Sequence, residues 1–139
     1  MKLILTAMFA TVSAFAGILP QGTYTGIGDV EMEGGPGLTY RSTTVVGADD
    51  SVSYEFRWGT EVKKISMQLT GTSEAFDIVE KGKKTGSGGC DGVRCDYTVN
   101  PAENVEVRET LVFSNGKILR FGTKKDNGKL FTWYHRELK

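Results

Sequence analysis

The chain has 139 residues, with 17 Lys and Arg against 17 Asp and Glu, 18 glycines, three prolines and two cysteines. A length of this order builds one domain around a single core, and the lack of any basic block or stripe argues against nucleic acid as a partner. Abundant Gly, scarce Pro and no long apolar run of helical period exclude a helical fold and point to an all-β one.

Met1-Lys2 and the apolar, small-residue run from Leu3 to Ala16 read as a secretory signal peptide, with Ala14-Phe15-Ala16 as a small-x-small cleavage site. The run is shorter than the roughly 20 apolar residues that span a bilayer, so no membrane anchor is expected. No cysteine lies near the cleavage site to carry a lipid. The domain is then residues 17–139, with 16 basic and 17 acidic residues and a formal charge of −1, in a periplasmic or extracellular compartment.

Residues 22–33 alternate Tyr24, Gly26, Gly28, Val30 and Met32 against polar neighbours, a strand that is sharply bent or closely approached by another backbone. After the Gly34–Gly37 turn, Leu38, Tyr40, Ser42, Thr44 and Val46 share one face of a second strand. Val52, Tyr54, Phe56 and Trp58 form the clearest period-2 pattern in the chain. Ile65, Met67 and Leu69 continue it on a fourth strand, and Phe76 and Ile78 on a fifth. The segment from Lys81 to Gly89 is basic and Gly-rich and reads as an exposed, flexible loop. Its lysines form a phosphate-binding candidate, although such clusters are more often solvated surface. Cys90 and Cys95, with no third thiol, are expected to form one disulfide in an oxidising compartment. Two thiols lack the further ligands a metal needs, so no metal site is expected.

Tyr97–Val99 is a sixth strand, and residues 105–138 hold three more, joined by two Asn-Gly turns at Asn115-Gly116 and Asn127-Gly128. A two-residue loop pairs Phe113 with Ile118 and Leu111 with Arg120, which sets an arginine among apolar residues. A three-residue loop pairs Leu111 with Leu119 and gathers the aromatics Phe121, Phe131 and Trp133, with His135, on one face, and this register is the expected one. Glu109 then points inward across from Phe121, either desolvated or paired with a cation or ligand. As a ligand-orienting group it would tolerate Glu109→Gln without loss of stability while binding weakens; the alternative is that a bulge or bend turns Glu109 to solvent.

Nine strand candidates joined by short turns imply an up-and-down antiparallel meander, closed into a small barrel of about 8–10 strands, with a β-sandwich as the alternative. Gly22-x-Tyr24, Asp96-Tyr97 and Arg136 in the last strand resemble the Gly-x-Trp, the Asp-Tyr pair and the late cationic residue of lipocalins, with Tyr in place of Trp. The resemblance implies a calycin-like barrel, and fold analogy alone carries little about function.

His135 is the single histidine, and no Ser/His/Asp spacing, H-E-x-x-H or phosphate-cradling motif is present. Carboxylate pairs such as Glu31/Glu33 and Asp49/Asp50 read as solvated surface, so neither catalysis nor a cofactor is expected. Two binding functions remain. A small apolar or aromatic ligand could sit in the barrel among Tyr24, Tyr40, Tyr54, Phe56, Trp58, Phe121, Phe131, Trp133 and His135, oriented by Glu109, in space left by Gly26, Gly28, Ser42 and Thr44. Otherwise the aromatics fill the barrel, and the loops bind a protein partner such as an extracellular or periplasmic hydrolase.

Overall fold

A computed structural model of the protein describes residues 17–137, with side chains as far as 133. The expected signal peptide and the side chain of Arg136 therefore lie outside the described residues. Ten strands follow in chain order: β1 (Gly22–Met32), β2 (Leu38–Val46), β3 (Ser51–Trp58), β4 (Glu61–Gly71) and β5 (Phe76–Glu80). The second half continues with β6 (Lys83–Asp91), β7 (Arg94–Ala102), β8 (Val105–Ser114), β9 (Lys117–Asp126) and β10 (Lys129–Glu137). Each strand pairs antiparallel with its sequence neighbour, and β1 pairs with β10 to close the barrel. Closure gives every strand a neighbour on both sides, which removes the free edges of an open sheet, and the single-barrel reading holds over the sandwich.

The faces expected for β1 to β5 are those observed. Tyr24 and Gly28 on β1, Tyr40 and Thr44 on β2, Val52 and Tyr54 on β3, Met67 and Leu69 on β4, and Phe76 and Ile78 on β5 are all buried. Period-2 alternation is enough here because one face of each strand meets water. Residues Ile18 and Leu19 join this core, with Ile18 N donating to Asp50 Oδ1 at 2.9 Å and Tyr24 OH donating to the Pro20 carbonyl at 2.9 Å. They pack the end of the barrel where β1 begins, together with Val46, Phe113 and Ile118.

Two expectations fail. The segment read as a flexible loop is β6. Its glycines are not linkers but places where other chain segments lie too close for a side chain: a Cβ at Gly86 would fall 2.1 Å from the Thr98 carbonyl oxygen, and one at Gly88 2.5 Å from that of Asp96. The second failure is the register of β9. Both hairpins use two-residue loops, with Ser114 opposite Lys117 and Asp126 opposite Lys129. Asn115 and Gly116 have φ of 53° and 76°, and Asn127 and Gly128 have 51° and 87°. Positive φ at both central residues is the mirror-image turn whose twist matches that of the flanking strands. Turn chemistry therefore overrides the hydrophobic pattern, and every β9 side chain moves to the face opposite the expected one.

Cys90 and Cys95 face each other across the β6–β7 hairpin and form the disulfide. It closes a loop of six residues, so chain entropy gives it about 2 kcal/mol. A thiol assay on the oxidised protein should find no free cysteine, and reduction should lower the unfolding free energy by no more than about that amount. Global unfolding on reduction alone would show that the bond holds more than its own hairpin.

Candidate functional site

The flipped register of β9 places Arg120 inside the barrel, where it is 3% exposed and stands opposite Leu111. Glu109, 4% exposed, faces inward from β8 as expected, but across from Gly122 and not Phe121. The two form a buried ion pair: Arg120 Nη2 donates to Glu109 Oε1 at 2.6 Å and Nε to Oε2 at 3.2 Å. Nη1 donates to Thr44 Oγ1 at 2.9 Å. Trp133 Nε1 donates to Glu109 Oε2 at 2.8 Å, and Tyr97 OH donates to Oε1. The carboxylate thus accepts four hydrogen bonds, about as many as its lone pairs allow. Because a carboxylate can only accept, the Tyr97 proton is committed to Glu109, and Tyr54 OH is the donor in its 3.4 Å contact with Tyr97 OH.

Local sequence explains why these groups meet. Gly122 is the inward residue next to Arg120 on β9 and pairs with both Glu109 and Trp133. A Cβ there would come within 2.9 Å of Trp133 Cζ2 and 3.0 Å of Glu109 Cα. The missing side chain lets the indole lie close enough to reach the carboxylate. Above the pair, the guanidinium carbon stacks 3.9 Å from the Tyr54 ring centroid and 5.6 Å from that of Phe56, a favourable cation–aromatic arrangement in a dry setting. No buried side-chain polar atom among the described residues lacks a partner.

Electrostatics follow from burial and this pairing. Burial works against a charged guanidinium, and the Glu109 carboxylate overrides it, so the Arg120 pKa stands above its ordinary value. Burial pushes the Tyr54 and Tyr40 phenols up to about 12, with Arg120 opposing and Glu109 reinforcing the shift. It raises Tyr97 well above the usual range for the same reasons.

The network forms the floor of a cavity of about 420 Å³ that runs toward the other end of the barrel. Aromatic walls come from Tyr40, Tyr54, Phe56, Trp58, Phe131 and Trp133, and aliphatic ones from Ile65, Met67, Val99 and Val107. Tyr40 and Phe56 meet edge to face with centroids 5.5 Å apart, and Tyr54 and Phe56 stack at 6.2 Å. At the mouth, Lys63 and Lys124 continue the inward parity of β4 and β9.

The structure brings together Tyr40, Tyr54, Phe56, Trp58, Glu109, Phe131 and Trp133 of the residues expected at a binding site. It separates two others, Tyr24 and Phe121. Tyr24 lies in the packed end, edge to face with Phe113 at 5.6 Å, and does not reach the cavity. Phe121, moved by the β9 register, sits on the outer face in a second, more open depression with Thr110 and Thr123. His135 pairs through its backbone with Gly28 and Arg120, and its side chain lies outside the described residues. The cavity also avoids the β1 glycines expected to leave room for it. A Cβ at Gly28 would fall 2.1 Å from Tyr40 Cζ, so the Tyr40 ring fills that space. Sequence reasoning missed Arg120, Tyr97, Lys63 and Lys124. Parity with Ile65 and Met67 was the available signal for Lys63, and the Asn-Gly turn length was the one for Arg120 and Lys124.

Among the described residues no three metal-ligating side chains cluster. Comparison of the chain with protein-family models, with curated proteins and with solved structures returned no match. The class that the structure defines is a closed, ten-stranded antiparallel barrel, an architecture compatible with a lipocalin-like one.

Two outcomes follow from the buried network. Glu109→Gln leaves the Arg120 charge without its counter-ion, which reverses the expectation that the fold keeps its stability after this substitution. It should destabilise the fold by about 3 kcal/mol in urea titrations, and a loss under about 1 kcal/mol would mean that the pair is screened by water. The phenols report on alkaline pH. A folded-state pKa above the unfolded value of about 10 gives stability that is complete below that pH and is lost as pH rises through about 12. Tyrosinate absorbance should therefore rise in step with loss of near-ultraviolet circular dichroism over that range. Complete ionisation of all the tyrosines ahead of unfolding would contradict the burial of Tyr54 and Tyr97.

Proposed function

We propose that this protein is a secreted or periplasmic, non-catalytic carrier of the calycin-like kind that holds a small apolar or aromatic molecule in its barrel. The observation behind this reading is the aromatic-walled cavity of about 420 Å³ above a floor where each buried polar side-chain atom of the described residues already has a partner. Pockets for small ligands fall in the range of about 300–1,000 Å³, mostly apolar with a few placed polar groups. Interior side chains that merely filled the barrel would leave few voids larger than a water molecule. The saturated carboxylate has no free base to offer a substrate, which favours holding over chemistry.

Gently extracted protein should carry co-purifying small molecules in native mass spectrometry. The stripped protein should bind a neutral apolar dye such as N-phenyl-1-naphthylamine, with a change in tryptophan fluorescence from Trp58 and Trp133. Val107→Phe, which fills the cavity from the β8 side, should abolish dye binding while leaving circular dichroism unchanged. A bare mass and no dye uptake by the wild-type protein would end the carrier reading. The protein-partner alternative would then take its place, for which the observation is Val93, 48% exposed on the β6–β7 tip beside the disulfide.

A further inference from the structure

The two ends of the cavity differ in what they leave unsatisfied. At the floor every oxygen site of Glu109 is occupied, and Arg120 holds that carboxylate through two nitrogens. An anion pushed to the floor would meet Glu109 at close range, and a donor group would find no vacant acceptor there. The mouth is different. Glu80 accepts from Thr85 Oγ1 at 2.6 Å and stands opposite Lys83. Asp126 lies 3.5 Å from Lys124 Nζ, which also sits 5.8 Å from the Phe131 ring centroid. Lys63 has no carboxylate within ion-pair range among the described residues. Lys63 is exposed at the rim, where partial desolvation lowers its pKa and the Lys124 charge lowers it further against the weaker opposing pull of Asp126. An ammonium in this position is stabilised by a bound anion.

Resting on the carrier reading, we infer that the ligand is an amphiphile with an anionic head group, bound with its apolar body among the aromatics and its head at Lys63 and Lys124. Size follows from volume: at about 30 Å³ for each water-sized or methylene-sized group, 420 Å³ corresponds to about a dozen such groups. A single medium-length chain or a fused aromatic acid fits, and a two-chain lipid does not.

Displacement of N-phenyl-1-naphthylamine from the full-length mature protein tests the head group with three probes of equal chain length: dodecanoate, dodecanol and dodecyltrimethylammonium. Dodecanoate should bind on the order of tenfold more tightly than dodecanol, as a charge-assisted contact predicts, and the gap should narrow with added salt. Lys63→Met should remove most of the gap between dodecanoate and dodecanol, and Lys63→Arg should restore it. Orientation is read in Trp58→Phe, where Trp133 is the one remaining tryptophan. Dodecanoate brominated at its methyl end should quench Trp133 strongly, and dodecanoate brominated beside the carboxylate should not. Equal affinity for acid and alcohol, or tightest binding of the ammonium, would overturn the head-group assignment and leave the carrier reading standing. Stronger quenching by the bromine beside the carboxylate would reverse the orientation and overturn the inference. Failure of the dye and of all three probes to bind would remove both.

Discussion

The ion pair between Glu109 and Arg120 is the constraint around which the interior is arranged. Two charged groups almost without solvent exposure survive only if each is neutralised by the other and its remaining hydrogen-bonding capacity is met. Here β2, β3, β7 and β10 all contribute to that end, through Thr44, the Tyr54 ring, Tyr97 and Trp133. Four strands are tied to one point on the barrel axis by side chains. Their positions around that point set how the bulky residues above it can pack.

The pair also divides the barrel into unlike halves. Below it, Tyr24, Phe113, Val46, Leu111, Ile118 and the inserted Ile18 and Leu19 pack tightly, with Leu111 only 1% exposed. Above it, aromatic rings lean on one another and on the guanidinium but do not meet across the axis, and the cavity remains. Rings anchored by edge-to-face contacts and by hydrogen bonds to a fixed charge cannot collapse into the space as flexible aliphatic chains would. Tyr40 shows the effect on one side, since its ring is set over Gly28 instead of swinging into the cavity.

Much of this architecture is legible in the sequence. The period-2 faces of β1 to β5, the inward parity of Glu109, Phe131 and Trp133, the disulfide and the closure of a meander all follow from alternation, turn residues and edge avoidance. What is not legible has two physical causes. Strand β6 has the composition of a linker, and only close neighbouring backbones around Gly86 and Gly88 show why glycine is required in a strand. Strand β9 presents a true conflict: Leu119 and Phe121 argue for one face, Arg120 and Lys124 for neither. A hydrophobic criterion selects the wrong register because it gives no weight to a carboxylate already inside on the neighbouring strand. Treating Glu109 as a charge in search of a counter-ion would have selected the correct one.

That conflict also explains how the register is held. A slip of one residue at the Asn115-Gly116 turn would bring Leu119 and Phe121 inward but carry the buried Ile118 outward, a net gain of about one apolar side chain, at most about 1.5–3 kcal/mol. It would also carry Arg120 to the outer face, leave Glu109 buried without a cation, and bring Phe121 to the position against which the Trp133 indole now packs. An uncompensated buried charge costs about 3–5 kcal/mol, and the Asn-Gly turn would have to give up the conformation that its two positive φ values favour. The penalties outweigh or match the gain, and they act together, so the apolar pattern loses. The ion pair contributes less through its own net attraction than through what its absence would do to every neighbouring register. A well-packed hydrophobic pair of the same volume at positions 109 and 120 could equal it in stability, but would discriminate less sharply against the slipped strand and would leave no rigid polar floor beneath the cavity.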